Sequence, residues 1–490
     1  VSWTPELALA LALIIPLIGG AGVVALGRYP NWREAVTLVS AVALAINVAY
    51  LVEAAAGRPT LTLAEFAPGL TLTFTLEPLG AVFAMVASGL WIVNSLYSIA
   101  YMRGNAERDQ TRFYLCFCLS IASAMGIALA GNLITLFFFY EALTLSTYPL
   151  VAHKGDAKAR KGASIYLGIL LATSIGLLLP AVFVTYFLTG TTDFTAGGIL
   201  SQAAGPVAGS VLLVMFAFGI GKAALMPIHP WLPNAMVAPT PVSALLHAVA
   251  VVKAGVFTML KVVIYIFGPA YMDTLPAADV LAWIAGASIV VASVIAFTKD
   301  NLKSRLAFST VSQLSYITLG AMLASPAALL GASLQIIMHA WGKITLFMAA
   351  GGIYTGTKKG EISQLDGLGW YMPVTFGAFL VGALSIIGVP PFGGVWPKIF
   401  LMEGAADANQ PWLIAMLIGS TLLNIGYLLP IVIRGFLKPK PKVSPMKPGM
   451  APPLAYIAPA ITAAGTIVLF FAIGPLIDYL APVFTTEMTP

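Results

Sequence analysis

Charge is what this sequence has least of. Asp, Glu, Lys and Arg make up 9% of its 490 residues, where a soluble globular chain carries about 25%. So little polar side chain cannot cover a water-soluble fold. A soluble enzyme, a disordered chain and a nucleic-acid-binding module are excluded together. Cysteine is almost missing too. Cys116 and Cys118 are the only two, and a spacing of two puts them on different faces of a helix. They form neither a disulfide nor half of a zinc site and read as packing residues. Metal-ligand clusters, a Walker loop, a dinucleotide fingerprint and a haem attachment site are all absent from the sequence. It therefore predicts no cofactor, no metal and no redox centre of its own; its driving force must come from an ion gradient or a partner protein. The first residues lack the charged region of a signal peptide, so the apolar run from Pro5 to Leu26 is expected to stay as a spanning helix.

What is present is apolar. Hydrophobic residues make up 59% of the chain and the mean hydropathy is +0.93. Long apolar stretches, rather than short alternating segments, specify helices and not a barrel. The expected fold is all-α integral membrane, multi-pass in a plasma or inner membrane, with lipid around it. Stretches of about 20 residues cut at charged or Gly/Pro-rich loops predict about fourteen helices. They fall at 5–27, 33–57, 78–100, 112–130, 132–151, 162–188, 207–234, 241–268, 277–298, 305–324, 327–354, 373–403, 411–436 and 455–480. Between helices 2 and 3, Leu61 and Leu63, then Leu70, Leu72, Phe74 and Leu76, alternate as in a short hairpin on the membrane surface.

The basic residues test that count. Of 25 Lys and Arg, nineteen lie in or beside loops that follow odd-numbered helices, from Arg28 and Arg33 to Lys442 and Lys447, and only Arg58 lies on the other side. One misplaced helix would scramble this parity. The basic loops are expected to face the cytoplasm and both termini to lie outside it. The pI of 9.1 thus reflects topology and implies no nucleic-acid partner.

Five lysines remain, all within predicted spans: Lys222, Lys253, Lys261, Lys343 and Lys398. Glu141 is the one acid deep in a span, and His247 and His339 join them. Each charge at the bilayer centre costs about 2.5–3.5 kcal/mol, so these residues must face a hydrated interior or one another. Lysine, glutamate and histidine are the types that relay protons once desolvated, and an ion or proton pathway is the expected role. Lys222 lies five residues before Pro227, and Lys398 follows GVPPFGGVWP, so two lysines sit beside Gly/Pro-broken helices. His339 and Lys343, four apart, share a helix face; His247 and Lys253, six apart, do not. Lys261, near a helix end, either joins the buried set or snorkels to the headgroups. His229 is either functional or structural.

The broken helices, 7 and 12, lie five apart. An odd offset reverses direction, so helices 4–8 and 9–13 are expected to be inverted repeats. The implied division is 1–111 for helices 1–3 and the hairpin, 112–268 and 269–436 for the two repeats, and 437–490 for a basic loop and helix 14.

The stretch KAALMPIHPWLPNAMVAPTPVSALLHAVAVVKAGVF (222–257) resembles the signature of the antiporter-like membrane subunits. That family is shared by respiratory complex I, membrane-bound hydrogenases and the multisubunit Mrp cation/proton antiporters. LFFFYEALTLSTYPLV (136–151) is similar to its helix 5, SRLAFSTVSQLSYITLG (304–320) to its helix 10, and HAWGKITLF (339–347) and GVPPFGGVWPK (388–398) to its helices 11 and 12. The resemblance is nearest to the D-type member of the Mrp antiporters, given MVAPTPVSALLHAVAVVKAG and an end soon after helix 14. The setting of helix 5 also resembles that in hydrogenase-related complexes. The resemblance implies that Glu141 pairs with Lys222, that His247 and Lys253 supply the helix 8 link, and that His339 and Lys343 continue a central polar axis to Lys398 on the exit side. It implies homologous subunits packed side by side, so that Glu141 of one meets Lys398 of the next. The implied function is proton translocation in an Mrp-type Na+/H+ antiporter. The alternatives are a proton-pumping component of complex I or a membrane-bound hydrogenase, and a coupling component of an inorganic-carbon uptake complex. Any enzymatic chemistry would lie in other chains.

Overall fold

The computed structural model describes residues 3–442, 444 and 452–486; Lys447, one of the basic-loop residues, lies outside them. Apolar helices dominate. In chain order they are α1 (Pro5–Ala25), α2 (Pro30–Ala54), α3 (Pro78–Gly104), α4 (Gln110–Ala128) and α5 (Leu133–Val151). Then come α6 (Ala157–Thr189), α7 (Pro206–Gly219), α8 (Thr240–Phe267), α9 (Pro276–Phe297), α10 (Leu302–Leu323) and α11 (Pro326–Thr357). Last are α12 (Pro373–Ile387), α13 (Pro411–Leu437) and α14 (Leu454–Phe471). Twelve of these are long and apolar enough to cross a membrane. The other two, α7 and α12, are the first halves of broken helices, completed by a turn at Trp231–Asn234 and by Val395–Asp407. A further helix, Ile473–Thr486, follows α14.

Local chemistry explains the starts. Proline opens α1, α2, α3, α7, α9, α11, α12 and α13, where its missing N–H costs no hydrogen bond. Asn132, Asp156, Asn301 and Ser325 cap α5, α6, α10 and α11 with side-chain oxygens that accept a backbone N–H.

The expected hairpin is present as antiparallel β1 (Thr60–Ala67) and β2 (Leu70–Thr75). Its second strand is tied to the α4–α5 turn, with Thr75 N donating to Leu129 O at 2.8 Å and Gly131 N to Thr73 O at 2.9 Å. Cys116 and Cys118 are free and buried.

The basic loops gather at one end, as their parity requires. Arg103 binds Glu34 at 2.5 Å, Arg33 donates to Gln110 at 2.9 Å, Arg112 to the His153 carbonyl at 3.2 Å, and Lys358 to Asn105. Each contact joins loops that follow odd-numbered helices. The hairpin and Arg58 belong to the opposite end. Between the ends, α8 is buried along its length and α10 and α11 nearly so. Large apolar side chains such as Phe187, Ile46 and Leu422 are exposed on outer helices, as lipid contact demands. His247, Lys253, His339 and Lys343 sit on α8 and α11 in that interior, where only protein surrounds them.

Candidate functional site

The site is built around three interruptions in helical hydrogen bonding. After α7 ends at Gly219, the chain runs irregularly through Lys222 and Ala224, whose φ is +54°. Freed backbone groups in a membrane interior cost several kcal/mol each unless paired. Here the Lys222 N–H donates to the Tyr140 hydroxyl at 3.1 Å, and the Gly221 carbonyl accepts from Trp231 Nε1 at 2.9 Å. A β-carbon on Gly255 would stand 2.3 Å from the Ala223 nitrogen, so only glycine lets α8 approach the break.

Lys222 is fully buried. Its Nζ donates to the Tyr140 carbonyl at 2.9 Å and to Thr144 Oγ1 at 2.6 Å, and lies 3.2 Å from the centroid of the Tyr140 ring. All three contacts come from α5. Glu141 is on the same helix, but no ion pair within 4 Å joins the two among the described residues. Its carboxylate oxygens are covered and have no hydrogen-bond partner. Glu141 shares a stripe with Phe138 and Leu145, three residues before and four after it, and both of those are exposed. The carboxylate itself is nonetheless covered, and it lies near enough to the buried Lys222 to interact with it electrostatically. The expected pairing is present as an electrostatic interaction between the two groups rather than as a direct ion pair.

The second interruption lies inside α8, where Leu245–Val249 forms one π-helical turn with His247 in it. Such turns widen a helix at one point and turn side chains off the regular register. His247 is buried and packs on Phe347 with ring centroids 4.4 Å apart; neither ring nitrogen has a partner. Six residues on, Lys253 Nζ lies 2.7 Å from His339 Nδ1 on α11. Lys343, one turn after His339, donates to Ser309 Oγ of α10 at 2.6 Å and to the Leu306 carbonyl at 3.3 Å. His339 and Lys343 do share a face, yet each reaches a different neighbour, one toward α8 and one toward α10.

From Ser309 the hydrogen bonds continue to the Tyr427 hydroxyl of α13 at 2.9 Å and on to Asn424 Oδ1 at 2.5 Å. Gln335 on α11 donates to Gln313 on α10 at 2.8 Å. These polar residues were not singled out from the sequence. Their signal was there: Ser309, Gln313 and Tyr316 on α10, and Thr421, Asn424 and Tyr427 on α13, recur at helical spacing within apolar spans.

Lys398 closes the series. It donates to the Ile387 carbonyl, the last of α12, at 2.7 Å and to Thr421 Oγ1 at 3.0 Å. Its Nζ stands 5.5 Å from the Tyr316 ring centroid. A cation at the C-terminal end of a half-helix meets unpaired carbonyls and the negative end of the dipole. The break is held by Gly388, with φ +86°, and by Gly394, where a β-carbon would fall 1.8 Å from the Ser385 carbonyl oxygen.

Two residues that the sequence left open have definite places. Lys261 does not snorkel. It is buried, its Nζ 3.1 Å from Glu77 Oε1, and it donates to the Ala130 carbonyl at 2.7 Å. Glu77 was overlooked because it directly precedes Pro78, at the edge of a span, where an acid ordinarily reaches solvent. His229, beyond the α7 break, is partly buried and packs near Phe308 at 6.0 Å between centroids; it joins none of the hydrogen bonds above.

Buried lysines and histidines thus line the interior from α5 to α13, each holding or facing a polar group on a neighbouring helix. That is the layout of an intramembrane ion-handling protein. The chain belongs to the NADH:quinone oxidoreductase/Mrp antiporter transmembrane family, whose profile matches residues 130–424. Among curated relatives, subunit N of the NADH-quinone oxidoreductase of Desulforudis audaxviator is 32% identical over 381 residues, covering 76% of this chain and 75% of that one. The A/B polypeptide of a probable K(+)/H(+) antiporter of Rhizobium meliloti is 31% identical over 451 residues, covering 87% of this chain but 43% of its own length. Among solved structures, a chain of the Mrp complex of Dietzia sp. DQ12-45-1b superposes with a TM-score of 0.85 at 29% identity, covering 98% of this chain and 52% of that one. A chain of respiratory complex I of Thermus thermophilus gives 0.83 at 20% identity, covering 98% of each, a likeness of fold alone. This chain is a multi-pass antiporter-like membrane subunit of the kind found in Mrp and complex I-type assemblies, and it spans about half of the longer relatives it matches.

Proposed function

We propose that this chain translocates protons as one member of an Mrp-type Na+/H+ antiporter, in which proton influx drives sodium export. The observation that carries proton transfer is the buried Lys253–His339 hydrogen bond of 2.7 Å, flanked by Lys222 and Lys343 on fully buried hydrogen-bond acceptors. Protons pass along such a file by exchange between adjacent bases, without any charge entering the lipid. Glu141, Lys222, His247, Lys253, His339, Lys343 and Lys398 carry the file, with Ser309, Tyr427, Asn424 and Thr421 orienting them.

In this reading helices 4–8 and 9–13 are inverted repeats, each with one broken helix and one lysine at the break. The basic loops face the cytoplasm and both termini lie outside. Glu141, on a stripe of α5 with the exposed Phe138 and Leu145, and Lys398, with the exposed Ile399 beside it, are arranged to meet their counterparts in homologous subunits on either side. A redox-driven proton pump is the second reading; the 32% identity to a quinone oxidoreductase component favours it.

The experiment is gentle solubilisation of the tagged chain from native membranes, mass spectrometry of what co-purifies, and a proton-flux assay in vesicles. Small hydrophobic subunits with a second large antiporter-like chain, and sodium-dependent flux, support the Mrp reading. Iron–sulfur, flavin or nickel–iron proteins would replace it with the redox pump. Full flux in Lys222→Ala would end the proton-file reading itself.

A further inference from the structure

The end of the molecule opposite the basic loops holds a buried ion pair that the file above does not use. Glu77, just before α3, and Lys261, near the end of α8, have side chains 3% and 1% exposed and meet at 3.1 Å. Ion pairs buried this deeply gain little stability, because desolvation offsets attraction. Glu77 Oε2 has no hydrogen-bond partner. The Lys261 ammonium is ringed by aromatics, with Phe194 at 4.4 Å, Phe257 at 5.6 Å and Tyr265 at 5.8 Å from Nζ to each centroid.

Glu77 also lines a cavity of about 780 Å³ bounded by the end of α2, the start of α3, Tyr265 and the helix after α14. The other charged residues on its wall are Glu53, Arg58 and Asp478, all exposed at the mouth. The cavity thus leads from this end to Glu77, whose carboxylate oxygens are themselves covered. Inward, Lys253, Phe257 and Lys261 follow one another at four-residue steps along one stripe of α8. Phe257 stands between the two lysines and packs on Phe83 at 4.8 Å between centroids.

We infer that Glu77 and Lys261 form a proton port joining the buried file at Lys253 to the bulk phase opposite the basic loops, with the acid-rimmed cavity as its vestibule and Phe257 as its apolar plug. The inference rests on the proton-translocating reading. In the outward step the Lys261 ammonium gives its proton to the Glu77 carboxylate, leaving a neutral amine and a carboxylic acid. The acid releases that proton to water in the cavity and becomes a carboxylate again. The amine is reloaded from the Lys253 side when Phe257 moves and water bridges the two. A purely structural pin would need only contact, with no titratable group and no cavity.

The test uses the assembled complex in membrane vesicles and measures proton flux with a pH-sensitive dye. Glu77→Gln and the double variant Glu77→Gln, Lys261→Gln keep size and hydrogen bonding but hold no exchangeable charge. Assembly at wild-type levels with a severalfold loss of flux, partly restored in Glu77→Asp, is the expected result. Wild-type flux in the double variant overturns the port. Should Glu77 variants fail to assemble, Ala56→Cys on the cavity wall decides. A membrane-impermeant cationic thiol reagent should then slow flux from one side of the membrane only, compared before and after labelling in the same vesicles. No slowing from either side overturns the port. Lys222→Ala is run in parallel. If it abolishes flux while the port variants do not, only the port falls; if it too leaves flux intact, the underlying reading falls.

Discussion

Lys253 on α8 and His339 on α11 stand 2.7 Å apart, Nζ to Nδ1, in the buried centre of the molecule. A hydrogen bond needs a lone pair on one of its two atoms, so the facing nitrogens share one proton rather than holding two. With Lys253 as donor, the imidazole proton sits on Nε2, which has no partner and can be handed onward. In the proposed file the two side chains act as one station. Lys253→Ala and His339→Ala should each cut proton flux severely, and the double variant should be no worse than either single one. A double variant whose loss equals the product of the single losses would show two independent stations.

Lys222→Ala and Glu141→Gln should abolish transport while the protein still inserts and assembles. Thr144→Val should be milder. It removes the 2.6 Å acceptor of Lys222, a charge-assisted bond worth about 1.5–3 kcal/mol, and leaves the Tyr140 carbonyl in place. Flux in vesicles, normalised to assembled complex, ranks the three.

Tyr427→Phe deletes one hydroxyl that bridges Ser309 and Asn424. Stability should fall by about 1 kcal/mol, while flux falls severalfold because the acceptor of Lys343 loses its orientation. A flux change no larger than the change in assembled protein would assign Tyr427 to packing alone.

Gly255→Ala should prevent assembly. Its β-carbon would lie 2.3 Å from backbone on the α7 break, and backbone cannot yield as a side-chain tip can. Overpacking of this kind costs about 1–3 kcal/mol or more. Native gels of solubilised membranes show it as loss of the complex.

His153 lies past α5, at the basic end outside the membrane. Burial, with Arg112 and Lys154 nearby, holds its imidazole below the ordinary histidine range, against the weaker opposing pull of Asp109. The folded state therefore disfavours its proton more than the unfolded state does. Stability is fully present above the unfolded value of about 6.5 and is lost as pH falls below it. Melting temperatures of the purified complex from pH 7.5 to 5 should drop less in His153→Leu than in the wild type.

Much of this was legible in the sequence. Fourteen segments followed from hydropathy and from the parity of basic loops, and the two broken helices from Gly and Pro beside Lys222 and Lys398. The seven candidate residues were noticed because a titratable group in an apolar span needs a reason, and the family resemblance set them in order. What escaped was neutral or marginal. Ser309, Asn424, Thr421 and Tyr427 carry no charge to flag them, and Glu77 stood at a span edge where an acid excites no suspicion. Lys261 had two readings because helix ends look alike in sequence.

The sequence by itself determined the solvent, the approximate number of crossings and which side chains must be hidden, because these follow from the free energy of placing each residue in lipid. Tertiary structure alone decided who meets whom. It seated Lys222 on Tyr140 and Thr144 without a direct ion pair to Glu141, set Lys253 against His339 rather than His247, and buried Lys261 on Glu77. Those partnerships depend on a π-helical turn, two breaks and the close approach of α7 to α8 at Gly255. A hydrogen bond is made or lost over a fraction of an ångström, and no periodicity along one chain encodes a distance between two helices.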